Sequence, residues 1–140
     1  MRLNLNGVAI VITCDTHVLI YWALTPDRLS AKAAQTFEQA RNAGELACAD
    51  IVLWEIAMLI DKSRITIPQT PTVFLRDLLL ATRMSVLPIA PEIAVLAQDR
   101  IFIHGDPADR LIAATALHHQ VALLSADRNL QSISSLRIIW

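Results

Sequence analysis

The run VAIVITC at residues 8–14 constrains the fold more than any other stretch of the chain. A strand with one wet face alternates apolar and polar residues, whereas one covered on both faces is continuously apolar and β-branched. The run therefore predicts a central strand of a parallel sheet, and such a sheet needs helices on both faces. A secretory leader fits poorly. The run ends at Asp15 and His17 with no small-x-small cleavage site. No apolar stretch approaches the ~18 residues that cross a bilayer, so no membrane association is expected.

The remaining segments alternate in the same sense. Helices are predicted over 16–24, stopped by Pro26; over 30–44, from a Ser30 cap to Gly44; over 50–64, capped by Asp50; over 70–83; and over 91–99, entered through Pro91. Strands are predicted at 45–49, 85–89, 121–125 and 136–140. Between them, Asp106 and Pro107 open a helix whose LIAATAL segment is apolar nearly all round and so requires burial. A short helical turn starts at Asp127. The alternation predicts an α/β fold with a central parallel sheet. A chain of 140 residues without repeats, low-complexity tracts or linkers reads as one domain, 1–140, with 1–7 as a short N-terminal arm.

Charge narrows the chemistry. The net charge is −1 and the only lysines are Lys32 and Lys62, so a polyanion would have to meet a local patch of arginines. Cys14 and Cys48 belong to no Cys-x-x-Cys or Cys/His set and read as buried reduced thiols, which suits the cytoplasm. His17, His104, His118 and His119 lack zinc-ligand spacing. His118 and His119 read as solvated helix-end residues, and His17 as a packing or hydrogen-bonding residue. The three glycines cannot build a phosphate loop.

The carboxylates are the informative set. In a parallel sheet, strand carboxyl ends and the following helix N-termini share one edge, where ligands bind. Asp15 follows the first strand, Asp106 and Asp109 open a helix, and Asp127 follows VALLSA. Glu55 lies about a turn and a half into its helix, between Trp54 and Ile56, a costly place for an unpartnered charge. Capping explains Asp106 and Asp109 in part, since a helix N-terminus favours anions. Five clustered acids repel one another, and the nearest basic residues are Arg110 and Arg128. A hard cation, Mg²⁺ or Mn²⁺, relieves that repulsion better. Carboxylates and a divalent cation at a sheet edge suit phosphodiester hydrolysis, in which the cation activates water and offsets charge developing at phosphorus.

The ordered pattern CDTHVLIYWAL, LWEIAMLIDKSRITIP, VLPIAPEIA, GDPADRLIAATAL, LLSADRNL and RIIW resembles the PIN-domain ribonucleases, above all the VapC toxins of prokaryotic toxin–antitoxin pairs. The resemblance runs from about residue 8 to the C-terminus. It implies a three-layer α/β/α PIN-like domain, Mg²⁺-dependent RNA cleavage and a VapB-type antitoxin partner. By position it assigns Asp15, Glu55, Asp109 and Asp127 to catalysis, with Asp106 as an additional metal-site acid. Direct metal contact falls to Asp15 and Asp109, while Glu55 and Asp127 act through water. Thr16 and Ser125 supply hydroxyls at the same rim. Scarce lysine leaves RNA contact to Arg28, Arg64, Arg110 and Arg128. Ser63 stands where the family commonly has Gly.

Two other readings stay open on the sequence. One is a PIN-like fold that only binds a partner. The other is a receiver-type signalling domain, which also gathers aspartates and Mg²⁺ at a sheet edge but needs a lysine after a late strand. Neither lysine lies there. Exposed apolar helix faces, as around TVFLRDLLLA (72–81), would serve a homodimer and an antitoxin helix.

Overall fold

The structure, a computed structural model, describes residues 2–3, 7, 9–102 and 105–140; Val8 and His104 fall outside the described residues. Its elements run β1 (Arg2–Leu3), β2 (Ala9–Ile10), β3 (Ile12–Cys14), α1 (Thr16–Leu24), α2 (Ala31–Ala43), β4 (Leu46–Ala49), α3 (Ile51–Asp61), α4 (Pro71–Thr82), β5 (Ser85–Leu87), α5 (Pro91–Leu96), α6 (Pro107–His119), β6 (Ala122–Leu124), α7 (Arg128–Gln131) and β7 (Ile138–Ile139).

The central sheet has five parallel strands in the order β5-β4-β3-β6-β7, the middle layer of a three-layer α/β/α domain. By order of appearance this is 3-2-1-4-5. A receiver-type domain is built 2-1-3-4-5, so the topology removes that reading. The chain steps outward from β3 to β5 and then returns to β3's other side with β6. The switch point, where open α/β sheets bind ligands, therefore lies between the carboxyl ends of β3 and β6.

The run 8–14 is not one strand. Ala9–Ile10 pairs antiparallel with Arg2–Leu3 in a separate two-stranded sheet, and only Ile12–Cys14 enters the central sheet. Val11, at the hand-over, is exposed, and its amide donates to the Glu45 carbonyl at 3.2 Å. Apolar continuity marked burial correctly for Ile12 to Cys14 but could not show that the chain changes sheets at Val11. Several other elements are shorter than expected. α3 stops at Asp61 rather than 64, because Ser63 takes a left-handed conformation (φ 56°), one that glycine adopts more readily. α5 ends at Leu96, and β5 and β7 keep only the paired residues.

Packing follows the sequence. In α6 the side chains of Ala113, Ala114 and Ala116 are fully buried, and their small size lets the helix lie close against β4, β6, α3 and α5. α2 starts at Ser30, whose hydroxyl accepts from the Ala33 amide at 3.0 Å, and ends at Gly44 with φ 70°. Phe37 fills the core beneath α2 and stacks on Trp22. Cys14 and Cys48 are buried free thiols, and burial pushes Cys48 up to about 12. No helix among the described residues is long and apolar enough to cross a membrane.

Candidate functional site

The switch point is where the acidic residues meet. Asp15 follows β3 directly, and its amide donates to the Leu124 carbonyl at the end of β6. It caps α1: Oδ1 accepts from the amides of His17 (2.9 Å) and Val18 (3.2 Å). Oδ2 accepts from the Ser125 hydroxyl, which spans the gap between the two strands at the switch. Ser125 in turn accepts from the Asp127 amide at 3.0 Å, and Asp127 caps α7 through the Asn129 amide at 2.9 Å. One chain of hydrogen bonds thus ties Asp15 to Asp127.

On the other wall, Glu55 projects from α3 and is 8% exposed, as is Asp15. Its Oε1 accepts from the Thr16 hydroxyl. Asp106 caps α6 by accepting from the Asp109 amide at 2.8 Å, with Pro107 at the first helical position. Capping and clustering therefore coexist at this helix start. All five acids, with His17, Val18, Tyr21 and Ala126, line one recess of about 310 Å³. Carboxylate oxygens of Glu55, Asp106 and Asp109 lie within 4.8 Å of one another. The closest trio thus includes Asp106 rather than Asp15, whose two oxygens already take the three bonds above.

The electrostatics record the crowding. Burial, then the charges of Asp106, Glu55, Asp127 and Asp15, push Asp109 up to about 7. Burial raises Glu55 as well, opposed by the Thr16 hydroxyl and reinforced by Asp106 and Asp15. Burial raises Asp15 against its hydroxyl and amide donors. Among the described residues the only basic group that answers this charge is His17, which lowers Asp15 and Glu55 against the larger effect of burial. The one ion pair among the described residues joins Arg41 to Glu38, and the Arg110 guanidinium donates to the Phe102 carbonyl at 3.1 and 2.6 Å. An all-oxygen, anionic, partly buried donor set of this kind suits a hard divalent cation.

A PIN-domain sequence profile matches residues 12–136. The chain belongs to the PIN-domain family. Ribonuclease VapC22 of Mycobacterium tuberculosis is 38% identical over 122 residues, which cover 86% of this chain and 90% of that protein. The PIN fold here superposes on VapBC2 from Rickettsia felis bound to a promoter DNA fragment, with a TM-score of 0.71 at 15% identity, covering 93% of this chain and 98% of that one. DNA-bound VapBC from Salmonella typhimurium gives a TM-score of 0.68 at 17% identity, covering 93% and 97%.

Two residues of this PIN-domain recess escaped the sequence reading. His17, expected to pack, is exposed and lines the recess, and Tyr21 lines it one helical turn on. Their i, i+4 spacing after the capping Asp15 was the available signal. Arg28 lies over the Tyr21 ring, 4.5 Å from its centroid, and with Arg64 lines an adjoining groove of about 620 Å³. Arg128 is exposed at the start of α7. Asp50, expected to cap α3, does not: it has helical dihedrals, and its Oδ2 instead accepts from the Ile89 amide at 3.1 Å.

Proposed function

We propose that this PIN-domain protein is a divalent-metal-dependent endoribonuclease of the VapC type, the toxin of a toxin–antitoxin pair. The observation that carries this reading is the convergence of Asp15, Glu55, Asp106, Asp109 and Asp127 on one recess at the switch point. Glu55, Asp106 and Asp109 hold Mg²⁺, or Mn²⁺ in its place, and Asp15 and Asp127 complete the set. When bound, the cation supplies positive charge to the scissile phosphate and acidifies water. The chain's own groups do the rest. The Thr16 and Ser125 hydroxyls fix the rotamers of Glu55 and Asp15. Asp127 orients water on the strand-end side, and the arginines flanking the recess (Arg28, Arg64, Arg110 and Arg128) meet the RNA backbone.

The resemblance to VapBC assemblies supports a VapB-type antitoxin as partner, and a toxin of this kind acts in the cytoplasm on RNA. Residues 1–140 act as one PIN-like domain. Exposed apolar side chains, Leu80 at 77% and Val95 at 74%, support a homodimer.

The test is digestion of total cellular RNA by purified protein with Mg²⁺, with Mn²⁺ and with chelator, beside Asp15→Asn. Discrete fragments that need metal and vanish in the variant are expected. Intact RNA in every lane would overturn the nuclease reading in favour of a binding-only PIN protein.

A further inference from the structure

Asp109 and Asp127 each line a second recess, of about 500 Å³, besides the carboxylate one. Its apolar lining comes from Phe102, Leu130 and Ile133, which are buried, and from Ile101, which is exposed. Its neutral polar lining comes from Asn129, Ser132, Ser134 and Ser135, all exposed. Among the described residues lining it, the sole cation is Arg110, whose guanidinium donates to the Phe102 carbonyl. A phosphate would find little charge here. A flat neutral group with apolar faces and a hydrogen-bonding edge fits better. The backbone joins the two recesses: Asp127 Oδ1 accepts from the Asn129 amide, and the Ser132 hydroxyl donates to the Asn129 carbonyl at 2.8 Å. That bond leaves the Ser132 oxygen able to accept, while the Asn129 side chain offers both a donor and an acceptor.

We infer that this recess receives the nucleobase next to the scissile phosphate, with Asn129, Ser132 and Ser134 reading its edge. The inference rests on the ribonuclease reading above. Single-stranded RNA is read in this manner, by contact with the base face and hydrogen bonds to its edge. The carboxylate recess then holds the phosphate, and the start of α7 sets the spacing between the two. Asn129, Ser132 and Ser134 are specificity residues that touch the base and leave the reacting atoms to the acids.

The experiment digests a random-sequence RNA pool with the full chain and Mn²⁺ and sequences the new ends. Wild type, Asn129→Ala and Ser134→Trp are compared, with melting curves confirming that these surface variants fold. The wild type is expected to favour particular bases at one position beside the cut. Asn129→Ala should reduce that preference about tenfold. Ser134→Trp, which fills the recess, should raise KM about tenfold on the preferred RNA while kcat changes less. If wild type cleaves with no base preference beside the cut, or both folded variants keep its profile and KM, the recess is not a base site and the nuclease reading stands. If wild type cleaves no RNA, the nuclease reading falls and this inference falls with it.

Discussion

Ser125 illustrates how little separates a polar filler from a site residue. It is fully buried, and it donates to Asp15 while accepting from the backbone of Asp127. Ser125→Ala removes the donor that holds Asp15. Metal affinity, measured by Mn²⁺ titration calorimetry, is expected to drop about 10- to 100-fold, as when groups supporting a metal ligand are lost. Asp109 contributes to the pH response, beside Glu55 and Asp15, which burial also raises. Its ordinary value is 3.8, and the folded site holds it at about 7. Between those values the folded chain binds a proton that the unfolded chain has released. This group's contribution to stability therefore falls as pH rises from about 4 to 7 and stays low above. In chelator, the protein should melt at a higher temperature at pH 5 than at pH 8, and Asp109→Asn should flatten that trend. Mn²⁺ competes with the same proton, so its stabilising effect should be larger at pH 8 than at pH 6.

At the scale of elements, the start of α6 serves two purposes that substitutions can separate. Asp106 caps the helix through the Asp109 amide, and its charge helps raise Asp109. Asn caps about as well as Asp but carries no charge. Asp106→Asn should leave metal-free stability unchanged or improved at pH 8, because repulsion is relieved, while weakening Mn²⁺ binding. Asp106→Ala loses the cap too and should cost about 1 kcal/mol relative to Asn, read from denaturant unfolding. Equal stability of the two variants would mean that the cap contributes nothing. α3 makes the opposite point. Its expected cap, Asp50, turns to the Ile89 amide, so the helix is held by Val52 and Ile56 in the core rather than by its first turn.

For the whole molecule, the sheet order decides what the elements can do. Strands at positions 1 and 4 of the chain order lie side by side, so Asp15 and Asp127 flank one gap, and α3 and α6 bring Glu55, Asp106 and Asp109 over it. Away from the gap, the described surface exposes Leu80 on α4, Val95 on α5 and Trp54 on α3. Light scattering at micromolar concentration is expected to give twice the chain mass. Leu80→Glu should shift the protein toward the chain mass without lowering its melting temperature in proportion, since this side chain is exposed in the protomer. Chain mass for the wild type would count against the dimer.

Local chemistry settled much of this in advance. Continuous apolar runs marked the buried strands, Ser30 and Asp106 announced helix starts, and acids after strands or at helix starts pointed to one sheet edge, because each signal depends on residues a few positions apart. Position along the chain could not say that Val11 is a hand-over between two sheets or that Asp50 would turn to β5's far end. Those outcomes depend on partners 34 to 39 residues away or more, as in the Val11–Glu45 and Asp50–Ile89 bonds. The sequence alone determined which acids follow strands or open helices, and so which of them could meet at one sheet edge. Tertiary structure decided which carboxylates stand closest, because distances among Glu55, Asp106 and Asp109 arise only when α3 packs against α6.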